Sequence, residues 1–332
     1  MVTEHSTHSR ILGTGAYAPE RVLTNHDLEK LVDTSDEWIT ERTGIKQRHV
    51  AREDETASDM AVIAARRALE MAGLSAADLD MIIVGTISGD LPMPACAVFV
   101  QQKLGAGAIP SFDVSAACAG FLYAMSIGDQ FIRSGLHKHV LIIGVELLSR
   151  LIDWKDRTTC VLFGDGAGAA VLGPATGDGR GVLSTKLYTD SSLAASLWIP
   201  AGGSKERISE DSLKAGRDKV QMVGSDIFKV AVKNLTSASR NALVDAKMDA
   251  DSVRWVVPHQ ANSRIISQVA LRLDIPMERF VLNIDRYGNT SSASIPIALD
   301  EGTRDGRIKP GDTVLMCALG AGISWGSALV RM

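Results

Sequence analysis

The cysteine in Asp113-Val114-Ser115-Ala116-Ala117-Cys118-Ala119-Gly120-Phe121 is a residue of this chain that could do covalent chemistry. A β-like apolar run, Ile109 to Val114, gives way to small residues. The cysteine comes next, and then a helical apolar pattern through Phe121, Leu122, Met125, Ile127, Phe131 and Ile132. That order predicts a strand-to-helix turn with Cys118 at or near the first helical turn. Unpaired N–H groups and the positive dipole end there favour a thiolate. Ala116, Ala117, Ala119 and Gly120 leave room for a substrate at the sulfur. A small buried cysteine at a tight packing point has the same local signature, so a nucleophile needs a base and a charge stabiliser from elsewhere.

Two later stretches supply candidates. Trp255-Val256-Val257 reads as buried strand and runs into Pro258-His259-Gln260-Ala261-Asn262, ahead of a helix over 263–273. His259, just past a strand end, can act as a general base or donate to a developing oxyanion; it can also simply cap its turn. The segment Asp285 to Ser294 follows a predicted strand, Phe280 to Ile284, and precedes a helix starting near Ile295-Pro296, in the place that Cys118 holds earlier in the chain. Within it, Asn289 offers an uncharged N–H donor for an oxyanion, although asparagine after glycine is also an ordinary turn residue. The other histidines are less well placed: His5 and His8 lie in the tail, His26 follows a predicted cap, and His49, His137 and His139 have polar neighbours.

The elements that must position these residues alternate between β and α patterns. Arg10 to Tyr17 reads as a first strand, Asn25 as a helix cap, and Thr56 to Met71 as an amphipathic helix ended near Gly73. Strand Leu79 to Gly85, helix Ala95 to Leu104, strand Val140 to Gly144 and a glycine-punctuated strand Cys160 to Leu172 complete an α/β pattern. The order then repeats. Ala68-Leu69 and Ile82-Ile83 match Ala242-Leu243 and Val256-Val257 at an offset of 174 (242 − 68), which Val140-Leu141 and Val314-Leu315 keep; Ile11-Leu12 and Val182-Leu183 differ by 171 (182 − 11). Three aligned blocks imply an internal duplication rather than two unrelated α/β domains. A boundary near Pro174 to Gly181 divides the chain into residues 1–176 and 177–332. The crevice between the halves is the natural place for a site.

Composition narrows the partners. The 332 residues are 45% hydrophobic and 22% charged, with a net charge of −4. These values fit a globular protein without nucleic-acid character. No apolar run approaches a membrane span and the N-terminus has no apolar signal core, so a cytoplasmic location is expected. Cys96, Cys118, Cys160 and Cys317 are scattered, without CxxC or Cys/His clusters, so no metal is expected. Gly13-Thr14-Gly15, Gly164-Asp165-Gly166-Ala167-Gly168 and Gly320-Ala321-Gly322 lack the dinucleotide fingerprint's context. They read as close backbone approach beside a site, with N–H groups available for an oxyanion.

Taken together, Cys118 in DVSAACAGF, His259 in VPHQAN and Asn289 in RYGNTSSAS resemble the Cys-His-Asn site of the β-ketoacyl-[acyl carrier protein] synthase III family. The resemblance extends through TSDEWITERTGI, FGDGAGA, GSDIFKVAV and GAGISWGSALVRM, nearly the whole chain. It implies a thiolase-like fold of two duplicated α/β halves in five layers, a homodimer, and no tightly bound cofactor. It also implies decarboxylative condensation of an acyl-CoA primer with malonyl-acyl carrier protein through an acyl-cysteine, with the thioester oxyanion held by the N–H groups of Cys118 and Ala321. Residue by residue, it places coenzyme A's adenine between Trp38 and Arg157, its nucleotide part near Thr34 and Arg42, and the pantetheine arm along Gly224, Phe228, Ala261 and Asn262. Lys229 and Arg264 match a basic rim for the acidic carrier protein. A relative making secondary metabolites from the same acyl-cysteine is the alternative. Gly320-Ala321-Gly322 departs from a common triple glycine. Leu319, Ile323 and Met93 replace common aromatic residues, which predicts a roomier acyl pocket than a strict acetyl-CoA enzyme has.

Overall fold

The computed structural model describes residues 8–332. Its first sheet contains β1 (Ser9–Tyr17), β2 (Met81–Gly85), β3 (Ser111–Val114), β4 (Val140–Glu146) and β5 (Gly166–Pro174), in the order β3-β2-β4-β5-β1. Strand β2 runs parallel to β3 and β4, while β5 is antiparallel to β4 and β1. The second sheet contains β6 (Gly181–Thr189), β7 (Trp255–Pro258), β8 (Thr313–Gly320) and β9 (Ser324–Arg331), in the order β7-β8-β9-β6. Here β7 and β8 are parallel and the other pairs antiparallel. It is the first sheet repeated without the edge strand β3.

The helices that build the layers and the site are α1 (Asp36–Thr43), α2 (Ala57–Ala72), α3 (Cys96–Leu104), α4 (Gly120–Arg133), α5 (Gly224–Asp245), α6 (Ser263–Leu273) and α7 (Ser294–Arg304). Strand residues are apolar on both faces, so both faces of each sheet must be covered. Met81 and Ile83 of β2, with Val140 and Ile142 of β4, face inward to Phe121, Leu122 and Met125 of α4 and to Ile295 and Leu299 of α7. Val257, Val314 and Met316 close that core from the second sheet. Ile82, Val84, Leu141 and Ile143 point the other way, onto α2 and α3. Val256, Leu315 and Leu329 face α5 and α6. The result is five layers, helix–sheet–helix–sheet–helix. Each fully buried side chain of this kind contributes about 1.5–3 kcal/mol.

Local chemistry fixes the ends. Thr56 caps α2 in a reciprocal box with Asp59, and Gly73 ends the helix in the left-handed region at φ 66°. Four expectations need correction. Thr24, not Asn25, is the cap of the short helix Asn25–Leu28, because its hydroxyl and the Asp27 carboxylate form the capping box; Asn25 is buried and bonds Asp36 and the Ile45 carbonyl. Strand β5 starts at Gly166, after turns over 160–162. Gly13-Thr14-Gly15 is not beside the site: a Cβ on Gly15 would sit 2.2 Å from the Ala64 carbonyl, so these glycines admit α2 against β1. Phe280 to Ile284 is not a strand but a single bridge, Val256 to Phe280. The Gln260 side chain takes the ladder's place, donating to the Val281 carbonyl at 3.2 Å and accepting from Asn283 N–H at 3.1 Å. Among the described residues no helix is long and apolar enough to cross a membrane, and no group of three or more metal-ligating side chains converges.

Candidate active site

Two equivalent turns meet where the halves join. Ala117–Ala119 forms a 3-10 turn that leads straight into α4, and Ser291–Ala293 forms one that leads into α7. The offset is again 174 (291 − 117). Ala117 at φ 44° and Ser291 at φ 49° both adopt left-handed backbone, which costs a non-glycine residue about 1 kcal/mol or more. The residue equivalent to Cys118 is therefore Ser292. This corrects the placement of Asn289, which lies three residues earlier.

Cys118 is 7% exposed and lines a cavity of about 420 Å³. Leu148, Phe163, Leu197, Trp198, Ile199 and Val220 supply much of its apolar wall. Ala321 lines the same cavity, so both expected oxyanion N–H groups belong to residues of one wall. Gly320 makes that approach possible: a Cβ there would lie 2.5 Å from the Cys118 nitrogen. The thiolate expectation does not hold for the resting site. Burial pushes the thiol up to about 12 and the nearby Glu146 carboxylate acts in the same direction, while Ser291 and the Cys118 backbone N–H oppose them. Leu319 and Ile323 are absent from this wall, and Met93 is 83% exposed. Much of the bulk around the cavity comes from the short apolar run Leu197-Trp198-Ile199, joined by Leu148, Phe163 and Val220.

His259 sits at the end of β7 and donates its N–H to the Cys317 carbonyl of β8 at 2.8 Å. Its Nδ1 lies 2.6 Å from Ser294 Oγ at the start of α7. Gln260 N–H donates to the same Oγ at 3.4 Å, and Nδ1 is the one acceptor for the Ser294 hydroxyl proton among the described residues; donating it there assigns the ring proton to Nε2. Burial pushes the imidazole down to about 3, so it is neutral at physiological pH. Asn289 is buried, and its Oδ1 accepts from Ser291 N–H at 2.9 Å. That contact assigns the amide oxygen and leaves the Nδ2 donors for another partner. Ser291 thus touches both Cys118 and Asn289. His259 and Ala261 line a second, small cavity with Ile227 of α5.

Glu146, at the end of β4, was missed. It is fully buried and burial raises its carboxyl to about 7, against hydrogen bonds from Ser88, Ile87 N–H, Ser292 and Ser291. A single glutamate ending an apolar strand run was the only sequence signal.

Trp38, Arg42 and Arg157, expected on the nucleotide side, cluster together, and none of them lines the cavity at Cys118. Ser35 caps α1 and accepts from Trp38 N–H at 3.1 Å, fixing Trp38 in the first turn. Arg42 and Arg157 lie 4.7 and 5.4 Å from the centre of its ring. The slot expected between Trp38 and Arg157 is thus filled by the arginine, which also bonds the Asp33 carbonyl at 2.8 Å. Thr34 holds a buried hydroxyl with no partner among the described residues. Asn262 caps α6, accepting from Arg264 N–H at 2.9 Å, and donates to the Arg42 carbonyl at 3.1 Å; its side chain holds the wall together rather than lining it freely. Gly224 and Lys229 are exposed on α5, and Arg264 stacks 6.0 Å from the Phe228 ring. His5 lies outside the described residues.

Cys118 lines the larger cavity and His259 the smaller one, and a five-layer duplicated fold with a cysteine on a helix-starting turn in one half and a buried neutral histidine and oriented amide in the other fits a thiolase-fold condensing enzyme. The family described as 3-oxoacyl-[acyl-carrier-protein (ACP)] synthase III matches residues 112–191, and its C-terminal counterpart matches residues 243–332. The chain is 51% identical over 324 residues to the β-ketoacyl-[acyl-carrier-protein] synthase III of Xanthomonas campestris pv. campestris, covering 98% of each. Among solved structures, it matches 3-oxoacyl-[acyl-carrier-protein] synthase III from Aquifex aeolicus at 47% identity and TM-score 0.90, over 98% of this chain and 100% of that one. It also matches the priming β-ketosynthase of the R1128 polyketide pathway at 38% identity and TM-score 0.92, over 100% and 98%. The chain belongs to the β-ketoacyl-[acyl carrier protein] synthase III family and is an acyltransferase of the condensing type.

Proposed function

We propose that this enzyme starts fatty-acid synthesis by condensing an acyl-CoA primer with malonyl-acyl carrier protein, and that Cys118, His259 and Asn289 carry the chemistry. The Cys118 sulfur attacks the primer's thioester carbonyl. The thiol proton ends on the departing coenzyme A sulfur, leaving an acyl-cysteine. Malonyl thioester then loses CO₂, and its C–C bonding pair becomes an enolate. His259 Nε2–H and the Asn289 amide donate to the enolate oxygen, which lowers the barrier to decarboxylation. The enolate carbon attacks the acyl carbonyl; the N–H groups of Cys118 and Ala321 hold the resulting oxyanion. Collapse expels the sulfur, which regains one proton from solvent. The observation that supports this reading is the His259–Ser294 contact at 2.6 Å: with the serine proton donated to Nδ1, the ring keeps its own proton on Nε2, as a donor rather than a base requires.

Coenzyme A's adenine takes the Trp38 face once Arg157 swings aside, with Thr34 and Arg42 toward the nucleotide; its pantetheine arm follows Gly224, Phe228, Ala261 and Asn262. The CoA thioester is a substrate, and no tightly bound cofactor is used. Lys229 and Arg264 steer the acidic carrier protein. The halves divide as residues 1–176 and 177–332. The chain works in the cytoplasm as a homodimer, which supplies a partner for edge strand β3 and covers the exposed Leu91 and Met93. The cavity size favours a primer longer than acetyl. The likeness to the R1128 priming ketosynthase favours one second reading, a starter step for secondary metabolism. Intact mass spectrometry after exposure to acetyl- through medium-chain acyl-CoA, with peptide mapping, tests the mechanism and the pocket. One acyl group on Cys118 is expected; acylation elsewhere overturns the mechanism, and strong acetyl preference overturns the roomier pocket.

A further inference from the structure

Glu146 is a buried carboxylate that the reaction above does not use. Its Oε2 accepts from Thr86 Oγ1 at 3.3 Å, Ile87 N–H at 3.2 Å and Ser88 Oγ at 2.5 Å, all on the loop after β2. Its Oε1 accepts from Ser291 Oγ at 3.3 Å and Ser292 Oγ at 3.1 Å, both from the second half. One carboxyl group therefore ties a loop of one half to the strained turn of the other. Ser291 is the link: its hydroxyl donates to Glu146, it lines the same cavity as Cys118, and its N–H holds Asn289.

We infer that Glu146 is a positioning residue that acts through Ser291 to hold Cys118 in place and to restrain ionisation of its thiol until a substrate arrives. The groups facing the carboxyl are the hydroxyls of Thr86, Ser88, Ser291 and Ser292, the Ile87 N–H and the Cys118 thiol. No ion pair among the described residues includes Glu146, and the influences that favour its charge are its hydrogen bonds from Ser88, Ile87, Ser292 and Ser291. A buried negative charge beside a thiol disfavours the thiolate. Its own titration is displaced upward to about 7, so the restraint grows as pH rises through neutrality. Burial alone makes Cys118 hard to ionise; Glu146 makes that resistance depend on pH.

The inference rests on the role proposed for Cys118, but alkylation reads the thiol directly, whether or not condensation is the reaction. Purified full-length enzyme is alkylated with iodoacetamide from pH 5.5 to 8.5, and Cys118 is followed by peptide mass spectrometry. For a thiol with no titrating neighbour, the logarithm of the rate rises with a slope of one. The expected wild-type plot flattens around pH 7, where Glu146 ionises. Glu146→Gln gives a straight line. Its rate over wild type grows from near one at pH 5.5 to about tenfold at pH 8.5. A ratio constant with pH, as a purely structural loss produces, overturns the inference. Should Glu146→Gln not fold, the wild-type plot decides alone, and an unbroken slope of one overturns it.

Discussion

The two helix-starting turns have the same backbone and opposite chemistry. At Ala117–Ala119 the second residue is Cys118; at Ser291–Ala293 it is Ser292. Each turn packs against the end of the other half's sheet. Cys118 meets Gly320, a residue without a side chain, and so opens onto a cavity. Ser292 meets Glu146 at the equivalent strand position, 174 residues before Gly320, and Gly144, where a Cβ would lie 2.2 Å from the Ser292 carbonyl. Its hydroxyl also donates to the Gly85 carbonyl at 2.8 Å. Duplication supplied two equal turns. What stands at the facing strand end opened one turn onto a cavity and made the other a buried clamp.

The largest effect tests that asymmetry. Cys118→Ala is expected to abolish acyl-enzyme formation, a loss of at least about 10³-fold, with no adduct by mass spectrometry. Ser292→Ala should keep acylation and instead lower stability by about 1–3 kcal/mol in urea melts, because Glu146 and the Gly85 carbonyl lose a donor. An acyl group found on Ser292 would break the comparison. Next, His259→Ala or Asn289→Ala is expected to slow malonyl decarboxylation about 10²–10³-fold while acyl transfer from acyl-CoA survives, as separate half-reaction assays would read. Equal loss in both halves would place these residues with Cys118 ionisation instead.

Glycine substitutions sharpen the contrast at intermediate size. Gly320→Ala and Gly144→Ala both overpack by a methyl, each costing about 1–3 kcal/mol. Only Gly320→Ala should also impair acylation, since it displaces the Cys118 N–H. The pH dependence of stability should separate the regions too. His259 is held down to about 3, so between that value and about 6.5 the unfolded chain binds more protons; its contribution is complete above about 6.5 and is lost as pH falls. Glu146 is raised to about 7, so its contribution is complete below about 4.3 and lost as pH rises to neutrality. His259→Gln should flatten the acid side of a plot of melting temperature against pH, and Glu146→Gln the side approaching pH 7. The smallest effect concerns Trp38→Ala, expected to raise KM for acyl-CoA about three- to tenfold with kcat nearly unchanged in steady-state assays.

The sequence by itself carried the layered α/β plan, because buried strands read as apolar runs and the repeat recurs at one offset. It also carried Cys118, His259 and Asn289 as candidates: the first two follow strands whose apolar runs are plain, and Asn289 stood out by its turn motif although the strand expected before it does not form. Tertiary structure decided what depends on contacts between distant segments. The offset of 174 already points from Cys118 to Ser292, and the left-handed backbone at Ala117 and Ser291 shows that the two turns match in conformation as well as in spacing. Gln260 replaces a strand edge with its side chain, which no pattern along one segment encodes. The protonation of Cys118, His259 and Glu146 follows from burial and from partners up to 146 residues away, such as Ser292 beside Glu146. Periodicity is a property of neighbouring residues in the chain; desolvation and shared hydrogen bonds exist only once the two halves close on each other.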